Sequence, residues 1–380
     1  MQVIDNNGVV YSSIREFCRV KEVNRSFVQE KMKANGFYEN KSRGIKLFPI
    51  QPASIIATTY EDEVIQSVDN VAKFADQQQE VDEEYEAFKA IRTTDFKLIE
   101  IERPKSSDGV RYAVALFSDV HIEETVKREA VLDRNEYNIE IAERRVKAYF
   151  ANLATCLKKD EVEMLIFASL GDTISSFIHP HLEQENGATP LEATYLAQSL
   201  IVSGLRHIRR EIPSLEIHFI GIAGNHSRTT KKVQNSNGFK LSYEWLMYKN
   251  IEDTCKQLEL GITFNIPESE VALVVAPDDK RYIFCHGFQV QSKGTGTVAG
   301  IYPALNRLAM KWRTTFNQDK IFLGHYHTCV SIPSATVNGS IIGYNAFALS
   351  NGMGYEEPAQ QYEVYDSEIG QLLSRKIYCK

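Results

Sequence analysis

Five short apolar runs in this chain share one grammar. RYAVALFSDVH, EVEMLIFASLGD, LEIHFIGIAGNH, RYIFCHG and DKIFLGHYH each pass through aliphatic and aromatic residues and end on a polar side chain. Between them, apolar residues recur at helical spacing and predict helices over Tyr137 to Leu157, Leu191 to Glu211, Lys240 to Leu258 and Tyr302 to Phe316. Strands alternating with helices predict an α/β domain. After His327 the segments SATVNGSIIGYNAFAL, QQYEVYDSE and GQLLSRKIYCK read as consecutive strands, which predicts a second sheet packed against the first. No internal repeat or low-complexity tract interrupts the pattern.

The first 50 residues follow a different rhythm. Short alternation at Val3, Val9 and Tyr11 gives way to two helical patterns, one from Ser13 to Lys21. The second opens at Asn24 or Ser26 as N-cap and closes at Asn35-Gly36. Ile14, Phe17, Cys18, Phe27, Val28 and Met32 would form a small core, and two short helices joined by a tight turn suit a helix-turn-helix. Pro49 and Pro52 break the chain. Beyond them an acidic segment with apolar residues at Val64, Val68, Val71, Phe74 and Ala75 reads as a solvated connector helix. A dimerising or partner-binding helix is the alternative. The expected organisation is a helix-turn-helix-like domain over 1–50, an acidic linker over 51–95 and an α/β domain over 96–380.

Composition refines this picture. With 380 residues, 43% hydrophobic and 24% charged, the chain can bury a substantial core beside a smaller appendage. A net charge of −7 does not mark a nucleic-acid binder, yet it averages an acidic linker with a basic head. That head carries about nine Lys or Arg against about five Asp or Glu. No apolar run approaches the ~20 residues of a membrane span, so no membrane partner is expected. MQVIDNNGVVYSS shows no secretory signal. Six scattered cysteines without a C-x-x-C pair read as reduced thiols, and a cytoplasmic protein is the expectation.

In open α/β sheets, ligands gather outside the carboxyl ends of the strands. At those ends stand Asp119 and His121, then Asp172, then Asn225 and His226, then His286, then His325 and His327. Gly171, Gly224, Gly287 and Gly324 flank four of these sets, permitting tight turns and close backbone approach. A lone strand-end Asp is more often a turn or helix cap, and a lone buried His is usually a core residue. Five such sets in order are hard to obtain by accident. Mixed imidazole, carboxylate and carboxamide suits Mn, Fe or Zn better than Ca, and no cysteine belongs to the set.

Through FSDVH, SLGDT, AGNHS, CHG and GHYH, residues 110 to 365 resemble the calcineurin-like metallophosphoesterase superfamily. The resemblance implies a four-layer αββα sandwich of two mixed sheets flanked by helices, with a dinuclear site. One ion would be held by Asp119, His121, Asp172 and His327, the other by Asp172, Asn225, His286 and His325. Asp172 would bridge them, and His226 would stabilise or protonate the leaving oxygen. Manganese is the expected metal, with iron, zinc, nickel and magnesium as alternatives. The implied reaction is in-line attack on a phosphate ester by a metal-bridging hydroxide, because two cations ~3.5–4 Å apart acidify water and clamp both reacting oxygens.

Departures from the family pattern narrow the substrate. Phosphoprotein phosphatases follow the Gly-Asp pair with an Asp and an Arg; here Thr173, Ile174, Ser175 and Ser176 follow, which disfavours that activity. Ser227 stands where an acid usually follows G-N-H, leaving the support of His226 open. Arg228, Lys231 and Lys232 could track a phosphate backbone, or form a solvated loop. His179 and His181 are candidates for lining the cleft, and SKGTGTVAG reads as a flap or a plain connection. These loops are similar to phage-encoded phosphoesterases of the repair-exonuclease type. Residues 1–50 resemble the small modular DNA-binding repeats of phage homing endonucleases, implying phosphate contacts from Arg15, Arg25, Lys31 and Lys33, with Asn24 to Gln29 nearest the base edges.

The expectation is therefore a phosphodiesterase of the nuclease type on DNA or RNA. The alternatives are a phosphodiesterase or phosphatase of small molecules such as cyclic nucleotides, and a non-catalytic scaffold, against which the complete ligand set stands. A homodimer and a separate ATPase subunit are the protein partners considered. A phage-encoded chain would work in the host cytoplasm.

Overall fold

The computed structural model describes residues 3–5, 10–11, 13–21, 26, 28–30, 32, 38–40, 45–49, 99–101, 109–179, 182–232, 234, 238–290, 301–350 and 352–380. The acidic linker, Phe27, the candidate DNA contacts Asn24, Arg25, Lys31 and Lys33, His181 and the SKGTGTVAG segment lie outside the described residues. The chain divides into two compact units, Met1–Thr94 and Asp95–Lys380. No helix among the described residues is long and apolar enough to cross a membrane.

In the smaller unit, β1 (Val3–Asp5), β2 (Val10–Tyr11), β3 (Tyr38–Asn40) and β4 (Ile45–Pro49) form an antiparallel sheet in the order β2-β1-β4-β3. Helix α1 (Ile14–Val20) begins at Ser13, whose side chain accepts from the Glu16 amide at 3.2 Å. Residues 26, 28–30 and 32 are also helical. The sheet takes in the alternating stretch at Val3 and Tyr11 and adds two strands after the helical patterns. Phe17, Cys18, Val28 and Met32 do form a core, but they share it with Val3, Tyr38 and Leu47 from three strands. Strands of two to five residues are too short for alternation to declare them in sequence. Arg15 is exposed on α1.

The larger unit runs β5 (Ile99–Glu100), β6 (Arg111–Phe117), α2 (Ile139–Lys159), β7 (Met164–Ser169), α3 (Leu182–Glu185), α4 (Pro190–Glu211) and β8 (Glu216–Gly221). It continues through α5 (Tyr243–Gln257), β9 (Ile262–Asn265), β10 (Val271–Val275), β11 (Arg281–Cys285), α6 (Tyr302–Phe316) and β12 (Lys320–Leu323). It ends with β13 (Val330–Ile332), β14 (Ala335–Val337), α7 (Ala346–Ser350), β15 (Ala359–Asp366) and β16 (Gly370–Tyr378). Two six-stranded mixed sheets result, ordered β16-β15-β6-β7-β8-β9 and β13-β14-β12-β11-β10-β5.

The period of two along β6 builds the layers. Ala113, Ala115 and Phe117 pack with residues of α2, α4 and α5, whereas Tyr112, Val114 and Leu116 meet Ala272, Val274, Phe284 and Phe322 of the other sheet. Leu273, Ile283, Ile321 and Leu323 then face Ala304, Leu305 and Ala309 of α6. The order is helices, sheet, sheet, helix, the architecture that the resemblance implies. Helix α4 carries a capping box, Thr189 with Glu192, and comes so close to α2 that a Cβ on Gly204 would lie 2.3 Å from the Phe150 ring.

The strands after His327 correct the expectation of a separate sheet made from consecutive C-terminal segments. β15 and β16 join the first sheet, with Tyr362 opposite Ala115, while β11 and β12 belong to the second. β15 is buried along nearly its whole length, so it needs a partner on each side and cannot be an edge. Pairing is a long-range choice that an apolar run does not encode. The end of the first segment, from Ala346 on, lies in helix α7 (Ala346–Ser350) rather than in a strand.

Candidate metal centre

The strand-end residues leave their strands by a turn that few side chains adopt. Asp119, His121, Asp172, His325 and His327 have φ of 54°, 49°, 50°, 72° and 52°. Left-handed backbone at a non-glycine residue is uncommon and costs about 1–2 kcal/mol each, and such strain gathers at functional sites. The surrounding ladder over-determines it. Asp119 N donates to Gly171 O at 3.0 Å, and Val120 N and His121 N both donate to Asp172 O at 2.9 and 3.1 Å. Gly224 N stands where a Cβ on Gly171 would be, 2.2 Å away, and a Cβ on Gly224 would lie 2.1 Å from Asp172 Oδ1. Two glycines thus let the loops of Asp172 and Asn225 touch.

The side chains converge in two groups. Ligand atoms of Asp119, His121 and His327 lie within 4.8 Å of one another, as do those of Asp172, His286 and His325. In the first group His121 Nε2 and His327 Nε2 face each other at 3.3 Å, with Asp119 Oδ1 3.4 Å from His327 Nε2. In the second, His286 Nε2 lies 2.9 Å from Asp172 Oδ2, 3.2 Å from His325 Nδ1 and 3.1 Å from Asn225 Oδ1. Asn225 therefore belongs with the second group. The groups are joined, since His325 N donates to both oxygens of Asp119 at 3.0 and 3.1 Å.

Neighbouring acceptors set the tautomers. His286 Nδ1–H donates to Leu170 O at 2.7 Å, leaving Nε2 as a lone pair. His121 Nδ1 meets Ser175 Oγ at 2.7 Å, and that hydroxyl donates onward to Glu124 Oε2 at 3.1 Å. In the neutral rings the inward nitrogens of His286 and His121 are then acceptors; a cation between the groups satisfies them, as does a proton on His286 shared with Asp172. Four imidazoles, two carboxylates and a carboxamide suit a divalent transition metal.

The protonation preferences express the same conflict. Burial alone would raise the Asp119 carboxyl, but its hydrogen bond to His327 and the charges of His327 and His286 hold it below the ordinary range. Burial would lower His286, but Asp172 outweighs it and lifts the imidazole to about 9. Burial and the charge of His286 push His325 down to about 4. Burial, His226 and His327 hold His121 well below its usual value.

Other expected residues are placed as follows. His226 is half-buried, with Nδ1 3.2 Å from Ser175 O and its ring edge-on to His121 at 4.9 Å. His179 is exposed, its ring 5.8 Å from that of His226. Arg228 spends its guanidinium on the carbonyls of Asn225, Thr230 and Lys231, so it braces its own loop. Lys231 and Lys232 are exposed.

Two buried acids were missed. Glu124 supports His121 through Ser175 and accepts from Asn345 Nδ2 at 3.0 Å. Glu244, fully buried, accepts from Thr173 N at 2.6 Å, Gly224 N at 2.7 Å, Ser227 Oγ at 2.8 Å and the Thr173 hydroxyl. It ties the Asp172 loop to the Asn225 loop, so Ser227 works by reaching an acid on α5 instead of supplying one itself. An acid just inside a Ser-capped helix reads as an ordinary dipole partner, which hid it.

No family model and no curated protein matches the chain. Among solved structures, it is similar to Vacuolar Protein Sorting 29 from Cryptosporidium parvum at 12% identity and TM-score 0.30, covering 71% of this chain and 97% of that one. A predicted phosphoesterase from Streptococcus pneumoniae is similar at 9% identity and TM-score 0.26, covering 70% and 97%. A phosphatase from Mycoplasma pneumoniae is similar at 10% identity and TM-score 0.29, covering 71% and 92%. At such values the fold is read from this chain's own strand order, and the site from its own geometry.

Proposed function

We propose that the chain is a dinuclear metallophosphoesterase of the calcineurin-like type, acting on phosphodiesters and, as the leading reading, on nucleic acid. The observation that carries the enzyme reading is the joined pair of ligand groups, each spanning less than 4.8 Å, on strained strand ends. Asp119, His121 and His327 would hold one ion and Asn225, His286 and His325 the other, with Asp172 shared. Manganese suits this donor set. When bound, the ions supply Lewis acidity at the phosphoryl oxygens and acidify water.

The chain's own groups complete the chemistry. The carboxylates of Asp119 and Asp172 offset the charge brought into the site. With Nδ1–H facing the Ser175 carbonyl, His226 keeps Nε2 for a proton given to the leaving oxygen. General acid catalysis of this kind contributes about 10²–10⁴-fold.

The nuclease reading is supported by exposed Lys231 and Lys232, which follow His226 closely in the chain, and by the resemblance of residues 1–50 to DNA-binding repeats. A small diester, such as a cyclic nucleotide, is the second reading. It is favoured by Arg228, whose bonds to its own loop withdraw one of the three cations expected to grip a long backbone. The test uses the full chain loaded with Mn²⁺, assayed on bis-p-nitrophenyl phosphate, p-nitrophenyl phosphate and labelled single- and double-stranded DNA. Cleavage of the small diester and of DNA is expected. Turnover of the small diester with DNA left intact rejects the nuclease reading, and no turnover of any ester rejects the enzyme.

A further inference from the structure

Asp119 is backed by three buried side chains outside the ligand set: Ser118, Asn338 and Gln360. Their hydrogen bonds have a direction that backbone amides fix. Gln361 N donates to Asn338 Oδ1 at 2.7 Å, and Ser118 N donates to Gln360 Oε1 at 2.8 Å. Turning either carboxamide over would set a donor against a donor. Asn338 Nδ2 is therefore turned toward Ser118 Oγ and Gln360 Oε1, each 2.8 Å away, and gives one proton to each.

The Ser118 hydroxyl is thereby an acceptor from Asn338, and its own proton goes to Asp119 Oδ2. A carboxylate can only accept, so the chain ends there. His325 N adds a second donor to the same carboxylate. Oδ2 carries the hydroxyl, and Oδ1, 3.4 Å from His327 Nε2, is the oxygen turned to the imidazoles. Gly324 leaves the space for this bond: a Cβ there would lie 2.5 Å from Ser118 Oγ and 2.6 Å from Asp119 Oδ2.

We propose that Asn338 and Gln360 are positioning residues which, through Ser118, fix the Asp119 oxygen presented to the cation held with His121 and His327. The inference rests on the dinuclear reading. Asn338 follows β14 of the second sheet, Gln360 lies on β15 of the first, and Ser118 follows β6 beside it. The relay thus locks one ligand to both sheets. It acts chiefly on the position held with His121 and His327, because Asp172, Asn225 and His286 have their own supports at Leu170 and Glu244, and it reaches the other position only through the His325 amide on Asp119.

The test compares the full-length wild type, Ser118→Ala, Asn338→Ala and the double variant. Each is stripped with chelator and titrated calorimetrically with Mn²⁺, with a metal-free melting curve taken beside it. Wild type should take up two ions. Each single variant should weaken one of the two uptake steps by about 10–100-fold, the usual effect of removing a support behind a ligand, and weaken the other step less. The double variant should be no weaker than the weaker single, because both changes cut one chain. Unchanged affinities in Ser118→Ala, equal losses at both steps, or additive losses overturn the relay. Should Asn338→Ala not fold, Ser118→Ala decides alone. Failure of the wild type to take up any ion overturns the dinuclear reading and the relay with it.

Discussion

Lys320 and Glu363 lie buried between the two sheets with their charged atoms 2.7 Å apart, whereas Asp119, Asp172 and four imidazoles crowd the strand ends of the same unit. Glu363 closes its own accounts. It accepts from Lys320 and Tyr365 on one oxygen, and from Ser331, Thr336 and Ser374 at 2.8, 2.7 and 3.2 Å on the other. It does so from the middle of β15, from a residue without left-handed backbone. At the strand ends, imidazole nitrogens meet one another at 3.2 and 3.3 Å and five candidate ligands hold left-handed backbone. Burial of charge is common to both regions. What separates a brace from a site is whether the polar atoms satisfy one another or point together at something absent from the chain.

The largest expected effect comes from removing the shared carboxylate. Asp172→Asn should lower diester turnover about 10³-fold, the upper end of the loss when one preorganised electrostatic group is removed from a reacting site. Metal analysis should show fewer than two ions per chain. A variant that keeps two ions and near-normal turnover would break the contrast at its strong end.

Glu363→Gln should leave metal uptake unchanged and cost about 3–5 kcal/mol in urea unfolding, because Lys320 is left buried without its counter-charge. The acid limb of stability sharpens this. Burial alone would raise the Glu363 carboxyl, but Lys320 and the hydrogen bonds outweigh it and hold it below the ordinary range. A folded-state pKa that is depressed contributes stability present above the unfolded value, ~4.3, and lost as pH falls through the folded one. Unfolding free energy from this group should be level from neutral pH to about 5 and fall below that, and Glu363→Gln should flatten the fall. An unaltered acid limb in the variant would show that Glu363 does not carry it.

Cation binding separates the regions again, at a smaller scale. Mn²⁺ at a hundredfold excess over its dissociation constant should stabilise wild type by about 2.7 kcal/mol per site. The same gain should appear in Glu363→Gln and shrink in Asp172→Asn, read as shifts in urea midpoint. An equal gain in all three would place the ion somewhere else.

Much of the candidate metal centre was legible because each of its parts is local. A strand end, a glycine and a polar residue sit within a few positions, and all seven named ligands come together in space. The helices were legible for the same reason: α6 spans Tyr302–Phe316 as its periodicity predicts. What stayed hidden is what depends on long-range pairing. Tyr362 opposite Ala115 places β15 in the first sheet across a gap no local pattern bridges. Glu244 and Asn338 reach the site from other elements, and nothing in their own neighbourhoods marks them as more than a helix-start acid and a turn residue.

Glu244 stands between the two regimes, and the smallest predicted effect tests where it belongs. Like Glu363 it is satisfied, its four donors being two backbone amides and two hydroxyls. Like Asp119 and Asp172, it places a buried acid at the candidate metal centre, and burial with the charge of Asp172 pushes its carboxyl upward. Glu244→Gln keeps the shape but sets an amide NH₂ against the donors of one loop, so the Asp172 and Asn225 loops should separate slightly. Uptake at the Asn225, His286 and His325 position should weaken about 10-fold, or ~1.4 kcal/mol, with the fold retained. Unchanged uptake with lowered urea stability would place Glu244 beside Glu363 as a brace, whereas weakened uptake in a variant as stable as wild type would make it part of the metal site.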